Sequence, residues 1–112
     1  MQAHIFYENN CMTVAVEGEI NTITTPQLTD MIGPLDGVQK LIFDMTKVRY
    51  VSSAGLRLVL SSQRTMKASG GEMLVRNCSQ FVMETFVSVG YDRIIKLETE
   101  SGTKKADARP KQ

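Results

Sequence analysis

Residues 40–45, KLIFDM, form a continuous apolar run closed by an acid, and no other segment restricts the fold as much. A strand with one wet face alternates apolar and polar side chains, whereas a run without alternation is the pattern of a strand covered on both faces in a parallel sheet. This strand is expected at the centre of the fold.

The flanking segments supply what a parallel sheet needs. Residues 3–7 (AHIFY) and 12–17 (MTVAVE) are strand-like runs separated by Glu8, Asn9, Asn10 and Cys11, which predicts a hairpin with one covered face. After the loop GEINTITT, Pro26 fits a first helical position and Thr25 its cap. Leu28, Met31, Ile32 and Leu35 then fall on one helical stripe, ended by Gly33, Pro34 and Gly37. A second helix is predicted from Ser53 to Ala68, with Leu56, Val59, Leu60 and Met66 inward and Arg57, Arg64 and Lys67 in water. Ser69, Gly70 and Gly71 stop it. The strand at 72–76, a helix at 79–89 ended by Gly90, and a strand at 93–97 complete an alternation that implies parallel neighbours and right-handed crossovers.

At 112 residues the chain is long enough for one hydrophobic core, so a single domain is expected over residues 1–100. The last twelve residues, SGTKKADARPKQ, hold no large apolar side chain and are expected to be a disordered tail. With 13 basic and 12 acidic side chains the net charge is +1, too small a field to gather nucleic acid or coat an anionic membrane. The start MQAHIFYENN lacks the basic and apolar regions of a secretory signal, and no apolar run approaches the roughly 20 residues of a membrane span. A cytoplasmic protein, monomeric or weakly dimeric, is expected.

Signs of catalysis are sparse. Cys11 and Cys78 have no C-x-x-C spacing and are expected to be reduced, buried thiols. The single histidine, His4, is expected to be a partly exposed strand residue. No phosphate-cradling glycine motif or paired carboxylates appear. No catalytic residue, cofactor or metal ligand is assigned, and an enzyme is not expected.

The informative stretch is residues 44–57, DMTKVRYVSSAGLR, where a buried strand gives way to a short loop and a helix opening on two serines, Ala54 and Gly55. A serine there can accept hydrogen bonds from free backbone N–H groups, and the small residues leave the helix end open to a visitor. On spacing alone, a plain N-cap is the simpler reading.

This stretch resembles the anti-sigma factor antagonists and the wider STAS family, in which a strand ending in Asp leads to D-S-[ST]-G-L at a helix start. Here it stands as LIFDMTKVRYVSSAGLRLVL; VEGEIN is similar to the family's G-E-L-D, and GGEMLVRNCSQFVMETFVSVGY to its later strand, helix and terminating glycine. The resemblance covers residues 5–97 and implies the STAS fold, an α/β domain with a mixed, mostly parallel sheet of about five strands, an N-terminal hairpin and about three main helices.

The resemblance also implies a function. The family's phosphorylated serine falls on Ser53, its small residue on Ala54, and its glycine and leucine on Gly55 and Leu56. Ser52 stands where the family has Asp, and Asn21 where many members have Asp. The implied partner is an anti-sigma factor serine kinase that also sequesters a sigma factor, with a serine phosphatase as a second partner. Asn21, Thr22, Ile23, Ser52, Ser53, Ala54, Gly55, Leu56 and Arg57 would form the partner patch, Ser53 being the phosphorylation site and Ser52 a lesser candidate.

Other readings stay open. One is a non-phosphorylated STAS module of another assembly, lipid-transport or transporter-associated; another is a nucleotide or anion sensor using helix starts at Thr25, Ser53 and Ser79. In the helix at 79–89, Val82, Phe86 and Val89 predict a core stripe, and Met83 and Val87 a second row that would extend the partner patch if Met83 were exposed.

Overall fold

The computed structural model describes residues 1–100, so the expected tail at 101–112 lies outside the described residues. Strands β1 (Gln2–Glu8) and β2 (Cys11–Ile20) are followed by α1 (Thr24–Ile32), β3 (Lys40–Val51), α2 (Ser53–Ala68), β4 (Glu72–Cys78), α3 (Gln80–Ser88), a single 3-10 turn at Tyr91–Arg93 and β5 (Lys96–Thr99). Asn9 and Asn10 both adopt positive φ, 52° and 66°, the mirror-image turn whose twist matches a two-residue hairpin. They close the antiparallel β1–β2 pair, while β2–β3, β3–β4 and β4–β5 are parallel.

The sheet runs β1-β2-β3-β4-β5 in chain order. Every parallel crossover therefore steps the same way, and right-handed crossovers then put all three helices on one face. Buried helix residues Leu28, Ile32, Val59, Met66, Val82, Met83 and Phe86 form one core with alternate strand residues. The row Ile5–Val14–Phe43–Val75–Leu97 crosses all five strands beneath them.

Among the described residues the other face carries no helix, which modifies the reading of KLIFDM. Leu41 and Phe43 are covered by the helical layer, but Ile42 is buried to 6% exposure between its row neighbours Thr13 and Leu74. Neighbouring side chains on a pleated surface can shield a residue without a second layer, and an unbroken apolar run does not distinguish the two.

Several boundaries differ from expectation. β3 does not end at Met45 but continues to Val51, with irregular pairing where Glu17 meets Lys47 and Glu19 meets Tyr50. α1 stops at Ile32, leaving Leu35 beyond it and Met31 exposed. Gly33 ends it with φ 64° and ψ −160°, a backbone region reserved for glycine. In α2 the buried line is Gly55, Val59, Ser62 and Met66, with Leu56 and Leu60 half-buried. The last strand starts at Lys96, not residue 93, because Tyr91–Arg93 are used in the 3-10 turn; Ile94 is exposed and Ile95 enters the core.

The cysteines also divide. Cys11 is half-exposed, contrary to expectation, because it starts β2 on the uncovered face, whereas Cys78 is buried. Burial, and then the Glu98 carboxylate, push the Cys78 thiol up to about 12. A thiol-specific reagent at pH 8 should therefore modify Cys11 in the native protein and reach Cys78 only on unfolding. Equal native reaction rates would contradict this burial.

Candidate functional site

β2 and β3 end side by side, Ile20 opposite Val51. The Ser52 N–H donates to the Ile20 carbonyl at 2.8 Å, which ties the entry of α2 to the exit of β2. Ser52 has extended backbone, φ −83° and ψ 176°, and its Oγ accepts from the Gly55 N–H at 3.4 Å. Its carbonyl accepts from the Leu56 N–H at 2.8 Å. Ser52 is thus the N-cap of α2, and Ser53 is the first helical residue with its side chain exposed. No loop intervenes: one extended residue joins the strand to the helix, so Ser53 sits on a rigid strand-to-helix corner.

Gly55 explains how that corner closes. A Cβ there would lie 2.7 Å from Ile20 Cγ2, 2.9 Å from Val51 Cγ1 and 3.0 Å from the Ile20 carbonyl oxygen. The first turn of α2 can approach both strand ends only without a side chain. Gly55→Ala should destabilise the fold by about 1–3 kcal/mol, as overpacking does, measured by denaturant unfolding. An unchanged midpoint would mean that the helix start can slide away.

The neighbouring loop is held by Asn21. Its Oδ1 accepts from the N–H groups of Ile23 and Thr24, both at 2.9 Å, while its own N–H donates to Thr24 Oγ1 at 2.8 Å. The Thr24 hydroxyl donates to the Glu19 carbonyl at 2.8 Å. The Thr25 N–H donates to the Asn21 carbonyl at 2.9 Å. Asn21, not Thr25, therefore satisfies the start of α1, and Pro26 is its third residue rather than its first. An amide oxygen accepts these bonds as a carboxylate would, so this turn needs no acid.

Thr22 and Ile23 project from this turn, Ile23 with 76% of its surface exposed. Together with Ser53 and Arg57, also exposed, they lie at the joined ends of β2 and β3; Ala54 and Leu56 are half-buried behind. Glu19 and Tyr50, opposite each other on the last paired residues before Ile20 and Val51, are exposed at the same end. Sequence reasoning missed both, because residues 46–51 read as a loop: their buried positions, Val48 and Val51, are three apart and show no strand alternation.

Other candidates fall elsewhere. Met83 is fully buried, so it adds nothing to an exposed patch, and Val89 is 50% exposed rather than part of the core stripe. The start of α3 is capped by Ser79 Oγ, which accepts from the Val82 N–H at 3.2 Å. His4 lies on the uncovered sheet face, its Nε2 3.7 Å from Glu17 Oε2. Asp44 closes the central run; burial pushes its carboxyl up, but hydrogen bonds from the Thr46 hydroxyl, Asn77 and the Thr46 N–H, with the Arg76 charge, outweigh this and hold it below the ordinary value. Its oxygen is engaged with Thr46 and Asn77 at 2.6–3.1 Å, so it fastens β3 to the end of β4.

The STAS domain family model matches residues 6–104. The chain belongs to the STAS domain family. Among curated proteins this STAS chain is 26% identical over 87 residues to the anti-sigma-B factor antagonist of Staphylococcus aureus, covering 76% of each. Among solved structures it resembles the anti-sigma factor antagonist SpoIIAA in its unphosphorylated form, with a TM-score of 0.76 and 20% identity over 89% of this chain and 90% of the other. It also resembles the Bacillus cell fate determinant SpoIIAA in its phosphorylated form, with a TM-score of 0.70 and 19% identity over 89% and 94%. These likenesses establish the STAS architecture, with its antiparallel hairpin, parallel remainder and three helices. Among the described residues no helix is long and apolar enough to cross a membrane.

Proposed function

We propose that this STAS protein is a cytoplasmic anti-sigma factor antagonist that binds an anti-sigma factor serine kinase, frees the sigma factor, and is switched off by phosphorylation of Ser53. A serine phosphatase resets it. The observation that best supports this reading is the division of labour between adjacent serines. Ser52 caps α2 through its side chain, and the Ser53 side chain is exposed at the helix start. The hydroxyl that the family resemblance assigns to phosphorylation can therefore be modified without removing the cap. The names of the relatives, anti-sigma factor antagonists, support the same reading.

The electrostatics favour a switch without refolding. α2 has sixteen residues and no acidic residue in its first turn, so its positive end can accept a phosphate bearing about 1.5–2 negative charges. In the reaction the Ser53 oxygen takes the terminal phosphoryl group of ATP, ADP leaves, and the proton passes to the kinase. Ser53 is a substrate group, and the chain needs no catalytic residue or cofactor. A partner surface shaped for a hydroxyl, flanked by Thr22 and Ile23, must then bury a dianion.

The test is peptide mapping of the protein isolated from its native cell, together with identification of co-purifying chains. Phosphate on the Tyr50–Arg57 peptide at Ser53, with a serine kinase bound to the unmodified form, is the expected result. An unmodified peptide through growth and stress, with a different partner captured, would replace the switch by a constitutive STAS binding module.

A further inference from the structure

The two edges of the sheet are unlike. β5 is four residues long, whereas β1 pairs with β2 over seven consecutive residues without a bulge and, among the described residues, has no further strand beyond it. Natural edge strands are commonly blocked by Lys, Pro, bulges or short length. β1, QAHIFYE, has none of these; its charged residue is Glu8 at the end, and His4 lies within. It also presents Phe6 and Tyr7, 59% and 66% exposed, on opposite faces.

The strand is complementary to itself. A two-fold axis through Ile5 sets two antiparallel copies in a register that uses all seven residues. Gln2 then faces Glu8 of the second copy, an amide donor against a carboxylate, and Tyr7 faces the small Ala3. Phe6 faces His4, and Ile5 faces Ile5. No like charges meet, and each aromatic ring finds a smaller or aromatic neighbour across the strand.

We propose that the protein forms a two-fold dimer through its β1 edges, joining two five-stranded sheets into one of ten strands. Two-fold pairing closes after two copies, whereas β1 on β5 would be head-to-tail and open-ended. β1 lies two strands away from β3, and Ser53 opens the helix that follows β3, so the phosphorylated position is not on the dimer edge. One strand pair buries less than the standard interface of about 1,600 Å², so the dimer is weak and depends on concentration.

Sedimentation equilibrium of the full chain from about 1 μM to 1 mM tests this, because it spans weak dissociation constants. The mass should rise from monomer to dimer and no further. Phe6→Lys and Tyr7→Lys should each weaken association at least about tenfold, as an edge charge does. Phe81→Lys, at a position 56% exposed on α3, should leave association unchanged. Mixing Phe6→Lys with His4→Glu should restore pairing, since the new charges then face each other. Thermal unfolding checks that each variant is folded. A monomer throughout, species beyond the dimer, or wild-type association in both lysine variants overturns the proposal.

Discussion

Ser53→Asp is expected to weaken capture of the anti-sigma kinase about a hundredfold, equivalent to about 2.8 kcal/mol of binding. Ser53→Ala should retain binding. The two variants separate the charge from the hydroxyl. Ser53 is exposed and leaves capping to Ser52, so neither change should unfold the domain. An acid in the first turn interacts favourably with the helix dipole, by about 0.3–1 kcal/mol, so Ser53→Asp should be as stable as the wild type or slightly more so. Stability holding or rising while affinity falls would place the switch at the interface and not in the fold. Calorimetric titration against the kinase measures affinity, and denaturant unfolding measures stability. An Asp variant that binds like the wild type would remove Ser53 from the contact surface.

Phe43→Ala should have the largest effect on stability. Phe43 is fully buried in the central strand, in register with Val14 on one side and Val75 on the other, beneath the helical layer. Truncating a buried Phe costs about 3–5 kcal/mol, from lost transfer energy and the cavity left behind. Domains of this size are stable by about 5–15 kcal/mol, so the variant should melt more than about 12 °C below the wild type. Phe81→Ala, at the exposed start of α3, is the control and should fall within about 0.5 kcal/mol. Similar losses at the two positions would mean that the core is not organised around the β3 row.

The elements were largely legible from periodicity. The helical stripe beginning at Leu28, the run at 40–45 and the two serines before Gly55 each fall on an observed element, although Met31 is exposed and Leu35 lies beyond its helix. They were misread where a local signal had two physical solutions. Thr25 and Pro26 look like a cap and a first turn, yet Asn21 reaches forward to bond Ile23 and Thr24, and the helix starts earlier. Residues 46–51 look like a loop because their buried positions are three apart, yet they continue β3 through an irregular pairing with β2.

By itself the sequence determined the family, the order of strands and helices, and the place of the serine pair, since apolar spacing and a strand-to-helix motif are local properties. Only the tertiary structure decided which serine is the cap and which is free. That depends on the Ile20 carbonyl receiving the Ser52 N–H and on Gly55 packing against Ile20, contacts between residues more than thirty positions apart in the sequence. It alone also revealed that the helices share one face, because crossover handedness and strand order act on the whole sheet at once. The consequence, among the described residues, is a sheet face without helices and an unpaired β1 edge.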